Sequence, residues 1–119
     1  FKQKIIKAQK IHTIRSNYDY WAPKVQEVRE GKARLSLRYW KGKPYRSKQQ
    51  EFWEVLPRYE PSVQKIEIDE AKVLTIDGKY FWKTEFVAQN DGLTETEFLQ
   101  WFNDLPFEGA IIHFTDFKY

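Results

Sequence analysis

The sequence predicts a β-rich α+β domain, a small and mostly antiparallel barrel with one helix before its first strand and another before its last. Residues 33–40 alternate apolar and polar side chains, as a half-buried strand does. Further short β-branched runs follow, broken by turns that carry Gly, Pro and Asp-Gly. Thr94-Glu95-Thr96-Glu97 stands before an apolar stripe and reads as a helix start.

Taken in order, Phe1, Ile5, Ile6 and Ala8 recur at helical spacing, so residues 1–9 read as an amphipathic helix. That helix delivers the chain into Lys10-Ile11-His12-Thr13-Ile14-Arg15. Isoleucine and threonine favour extended backbone, and strand alternation puts Ile11, Thr13 and Arg15 on one face, with His12 and Ile14 on the other. Ser16-Asn17-Tyr18-Asp19 has turn chemistry and leads through Trp21-Ala22-Pro23 to a short helix that carries Val25 and Val28 and stops at Gly31. After the alternating strand, Lys41-Gly42-Lys43-Pro44 turns the chain into an extended stretch running from Tyr45 to Trp53. Val63 to Asp77 reads as a meander, with Asp77-Gly78 as a hairpin turn before Tyr80-Phe81-Trp82. The helix begun at Thr94 carries Phe98, Leu99, Trp101, Phe102 and Leu105 as a core stripe, and Gly109 to Thr115 closes the domain as a buried strand.

A chain of 119 residues fits one domain spanning 1–119, and no apolar run approaches the length of a membrane span. With neither an initiator Met nor a signal-peptide apolar stretch, the start reads as a trimmed chain rather than a secreted precursor. The absence of cysteine removes disulfides, thiolate metal sites and cysteine nucleophiles, and it fits a reducing cytoplasm. His12 and His113 do not form a helical pair at metal spacing, so neither a metal nor another cofactor is expected; both read first as packed or hydrogen-bonded strand residues.

The net charge of +3 hides an asymmetry: residues 1–50 carry 14 Lys and Arg against three acids, and residues 51–119 carry six against 14. Such a bias points the basic segment toward a polyanion, unless folding interleaves and neutralises the two. Around Arg38, Trp40, Lys43 and Tyr45, cations alternate with aromatics, the combination that neutralises phosphates and stacks bases. Core packing competes with that role at Trp40 and Tyr45 and is the simpler reading of Trp21. Lys10, Thr13 and Arg15 together could hold a phosphate or a polar base edge; a half-buried edge strand with solvated charges is the alternative.

The ordered set of Lys10-Ile-His-Thr-Ile-Arg15, Trp40-Lys-Gly-Lys-Pro-Tyr45, Ala88-Gln-Asn-Asp91-Gly92 before Phe98-Leu-Gln-Trp101-Phe102, and Ile111-Ile-His-Phe114 resembles the ASCH domain, a relative of the PUA superfamily. The resemblance spans nearly the whole chain. It implies a PUA-like barrel whose cleft takes RNA or a modified nucleoside. The first motif is also similar to that of small amidohydrolases that deacetylate N4-acetylcytidine with a Lys-x-x-Thr pair and a later carboxylate. In this chain those groups correspond to Lys10, Thr13 and Asp91, with Arg15 matching the basic residue that follows. Asp91 stands where that pattern has glutamate, and its carboxylate reaches one methylene less far.

A threonine hydroxyl needs a base to become a nucleophile, and a lysine of lowered pKa is such a base. Residues three apart on a regular strand point to opposite faces, so Lys10 and Thr13 converge only if Lys10 sits in a bend before the strand. A non-catalytic RNA-binding or protein-interaction module is the competing expectation; a ribonuclease is a further one.

Overall fold

The computed structural model describes residues 2–6, 9–40 and 49–119. Helix α1 (Lys2–Ile6) precedes strand β1 (His12–Ser16), and helix α2 (Tyr18–Arg29) follows. Strands β2 (Leu35–Trp40) and β3 (Gln49–Val55) form an antiparallel pair of their own. A 3₁₀ turn at Pro57–Tyr59 leads to β4 (Ser62–Ile68), β5 (Leu74–Ile76) and β6 (Lys79–Phe81). Helices α3 (Thr84–Asn90) and α4 (Glu95–Trp101) then precede β7 (Phe107–His113). The main sheet has the order β1-β7-β4-β5-β6, antiparallel throughout.

This is the antiparallel, strand-rich α+β class that the sequence implies, with a helix before the first strand and another before the last. Among the described residues the five-stranded sheet does not close into a barrel. No described helix is long and apolar enough to cross a membrane.

Alternation along β7 explains why the sheet is covered on both faces. Ile111 packs with Ile14, Ile66 and Ile68 against Val87, Phe98 and Phe102 from the α3–α4 region. Its neighbour Ile112 packs with Val25 of α2 and Val55 of β3, joined by Trp21, Leu35 and Leu37. The central strand is therefore an almost continuous apolar run, Ala110 to Ile112, because neither face meets water.

Three local readings are corrected. α2 starts five residues before Pro23, because Asn17 adopts a left-handed backbone (φ 71°) and its side chain accepts the Tyr20 N–H at 3.3 Å. Pro23 then lies inside a helix that the sequence would break there. α3 is a helix where only the Asp91-Gly92 turn was expected. Trp101, expected in the core, is 63% exposed: α4 buries Phe98 and Phe102, while Trp101 falls to the side of that stripe. The capping box of α4 forms as its sequence requires, Thr94 Oγ1 accepting from the Glu97 N–H (3.2 Å) and Glu97 accepting from the Thr94 N–H (3.0 Å). Asp77 (φ 50°) and Gly78 (φ 78°) supply the two positive φ angles that the β5–β6 hairpin turn needs.

Gly109 is the tight point where β7 passes β1: a methyl there would meet the Arg15 carbonyl oxygen and the Phe107 ring. Gly109→Ala is expected to destabilise the domain by about 1–3 kcal/mol. Denaturant unfolding checks this, and an unshifted midpoint would show that the sheet yields at this crossing.

Candidate active site

Lys10 stands two residues before β1 begins, just after a bend at Gln9 and outside the strand itself. Two helix ends hold that bend. The Lys10 N–H donates to Lys4 O at 3.0 Å and the Ile11 N–H to Asn90 O at 2.8 Å, and Lys10 forms an isolated antiparallel bridge with Asp91.

The end of α3 is built by a Schellman motif. Gly92, at φ 80°, donates its N–H to Gln89 O, and Leu93 donates to Ala88 O, both at 2.9 Å. A left-handed glycine there stops the helix and leaves Asp91 as its last cap, turned toward Lys10. Lys10 Nζ donates to Asp91 Oδ1 at 2.8 Å and to Asp91 O at 3.0 Å, so one ammonium serves both a carboxylate and an open carbonyl of the helix end. Lys4 Nζ donates to the next carbonyl, that of Gly92.

Both partners are buried, Lys10 to 4% exposure and Asp91 to 6%. Burial pushes the Lys10 ammonium below its ordinary pKa of 10.5; Asp91 opposes that shift, while Arg15 and Lys4 add to it. His12 lies on the same carboxylate oxygen, with Nδ1 at 3.2 Å from Asp91 Oδ1. Its Nε2 is 2.7 Å from the Tyr119 hydroxyl, which also accepts from Asn90 Nδ2 at 3.0 Å.

Lys10 and Asp91 open onto a cavity of about 540 Å³ at the β1 edge of the sheet, within the ~300–1,000 Å³ typical of ligand pockets. Thr13 and Arg15 line it from β1, and Ser36 and Arg38 from β2. Trp21, Phe52 and Trp101 add aromatic wall. Arg38 Nε donates to Ser36 Oγ at 3.1 Å, and that hydroxyl donates to Glu51. A largely apolar chamber with a buried amine, a carboxylate, two hydroxyls and two guanidiniums suits a flat, polar-edged ligand with anionic or acyl character.

Of the residues singled out in the sequence, Lys10, Thr13, Arg15, Arg38 and Asp91 thus meet at one cavity, although Asp91 is 81 positions from Lys10. The Trp40 side chain, Lys43 and Tyr45 lie outside the described residues. Among the described residues, no cluster of three His, Asp or Glu could hold a metal ion. Sequence reasoning gave no role to Tyr119, nor to Asn90 within the Ala88–Gly92 run, and it read His12 as a packed or hydrogen-bonded strand residue, which its contacts to Asp91 and Tyr119 make it. Gly92 just past an apolar stretch was the available sign that Asp91 caps a helix.

His113 sits against His12, ring centroids 5.4 Å apart, and its Nε2 bonds Gln64 Oε1 at 2.9 Å. Gln64 orients that oxygen as an acceptor, because its Nε2 donates to Asp77 and to Tyr119 O, each at 2.9 Å. His113 therefore carries its proton on Nε2, and its buried Nδ1 has no partner among the described residues. Burial first, then His12 and Lys118, push this imidazole from 6.5 down to about 3.

Two outcomes follow. Lys10→Met strands a buried carboxylate and is expected to cost about 3–5 kcal/mol, with Lys10→Met/Asp91→Leu less destabilised than the two single losses added. A denaturant double-mutant cycle measures this, and additive losses would deny the pairing. For His113, the unfolded chain takes up a proton below pH 6.5 that the folded chain refuses until about pH 3. Stability from this group is thus whole above pH 6.5 and falls as pH is lowered through that window. An NMR titration in which His113 titrates near its ordinary value would remove this contribution. Comparison with protein-family models, curated proteins and solved structures gives no match for the chain.

Proposed function

We propose that this chain is an ASCH-type, PUA-like domain that takes a modified nucleoside, free or within RNA, and hydrolyses its N-acyl group, N4-acetylcytidine being the type of substrate. The observation that carries this reading is the buried Lys10–Asp91 pair opening onto the same cavity as Thr13, Arg15 and Arg38.

In the reaction, Lys10 as free amine takes the Thr13 hydroxyl proton while Oγ attacks the acyl carbonyl, and Arg15 faces the developing oxyanion. The carbon–nitrogen bond breaks, and the proton held by Lys10 passes to the leaving amine of the base. Water then cleaves the threonine ester and releases the carboxylic acid. Asp91 holds Lys10 at the cavity that Thr13 also lines. The desolvation that lowers the Lys10 pKa favours the free amine this step needs.

A second reading, RNA binding without hydrolysis, is favoured by the exposed guanidinium residues Arg15 and Arg38 at the cavity. The two separate in one set of measurements. Incubation with N4-acetylcytidine is expected to release cytidine and acetate, with Lys10→Ala and Thr13→Ala each slowing release by about 100-fold or more. No release by the wild-type chain would exclude hydrolysis of this substrate. RNA affinity that falls with added salt and with Arg38→Ala would then leave the binding reading standing.

A further inference from the structure

The Lys10–Asp91 pair has a second tier of partners, which reaches the same Asp91 oxygen that Lys10 holds, and its hydrogen-bond roles follow from the groups at its two ends. Asn90 Nδ2 can only donate, so the Tyr119 oxygen accepts from it at 3.0 Å. The ionised Asp91 carboxylate can only accept, so His12 Nδ1, 3.2 Å from Oδ1, directs a proton to it. In the neutral imidazole that leaves Nε2, 2.7 Å from the Tyr119 oxygen, as acceptor of the hydroxyl proton. Asn90, Tyr119 and His12 thus form a directed chain that ends as an N–H donor on the oxygen shared with Lys10.

We propose that His12 and Tyr119 are positioning residues for the Lys10–Asp91 pair: Tyr119 fixes the His12 tautomer, and His12 fixes the Asp91 carboxylate and limits how strongly it holds the Lys10 ammonium. This rests on the reading of Lys10 as the catalytic base that Asp91 holds. His12 is wholly buried, and a ring there could be filled by an apolar side chain at no desolvation cost. A buried imidazole with both nitrogens engaged is instead a device for orientation, as with the partners that set the tautomer of a working histidine.

The electrostatic consequence has a definite sign. A donor on Oδ1 withdraws charge from the oxygen that stabilises the Lys10 ammonium, so His12 makes Lys10 easier to deprotonate. Among the described residues, the charged and titratable groups around the two include Lys4 on α1, Arg15 on β1, Asp91 after α3, His113 on β7, and Tyr119. Lys4 and Arg15 act on Lys10 in the same direction as His12, and Asp91 acts against them. His113 presents a neutral ring to His12 at neutral pH.

The test is NMR on the full chain. Long-range proton–nitrogen spectra of wild type are expected to show His12 as the Nδ1–H tautomer; the Nε2–H tautomer would overturn the proposal. The Lys10 pKa, read from its side-chain carbon shift, is expected to rise by about one unit in His12→Leu and by less in Tyr119→Phe. His12→Asn, whose amide can donate from the Nδ1 position, is expected to bring it most of the way back. If His12→Leu does not fold, Tyr119→Phe, which removes a single oxygen, decides alone. A Lys10 pKa indifferent to these changes in folded protein overturns the positioning role even if N4-acetylcytidine is turned over. A responsive pKa without turnover sustains the positioning role while the proposed reaction falls.

Discussion

A lysine and an aspartate taken out of water together are the constraint around which this domain is arranged. Removing two charges from solvent costs several kcal/mol for each ion in practice, on the order of what a small domain has in total. The surroundings offset that cost by multiplying partners: the ammonium finds a carboxylate oxygen and a main-chain carbonyl, and the carboxylate finds an ammonium and an imidazole. Those partners dictate local architecture. α1 must end where Lys4 can accept the Lys10 N–H, and α3 must end in a left-handed glycine so that its last cap faces β1.

The same economy operates one layer back. His12 and His113 are cross-strand partners on β1 and β7 and point to the same face of the sheet, where two imidazoles share a region otherwise suited to isoleucine. Each is held by a different hydrogen-bond set, one leading to Asp91 and the other to Gln64. The Gln64 amide pairs with the main-chain N–H and C=O of Tyr119, as a neighbouring strand would. It seats the segment whose hydroxyl reaches His12. Polar residues on this face form a connected set, the condition under which buried polarity specifies structure rather than weakening it.

Much of the strand framework was legible because burial imposes period two: Leu35, Leu37 and Ile66, Ile68 announce their faces. Thr94 with Glu97 and Asp77 with Gly78 were legible because their chemistry is local. The start of α2 was not, since a proline six residues into a helix outweighs an asparagine cap in any local reading. Trp101 misled because a helical stripe read at i, i+3 and i+4 is wider than the face a two-turn helix buries. The site divides the same way. Lys10, Thr13 and Asp91 carry a motif, whereas Asn90 and Tyr119 matter through distances that only the folded chain creates.

The separation in sequence between these partners, 81 positions from Lys10 to Asp91 and 107 from His12 to Tyr119, has a kinetic meaning. No fragment of the chain holds the site, and closing such long loops is entropically slow unless the intervening meander has already formed. Assembly of the pocket and completion of the fold are therefore one cooperative event. A chain that has lost its tertiary packing but kept its helices and hairpins would retain every residue of the site and none of its chemistry.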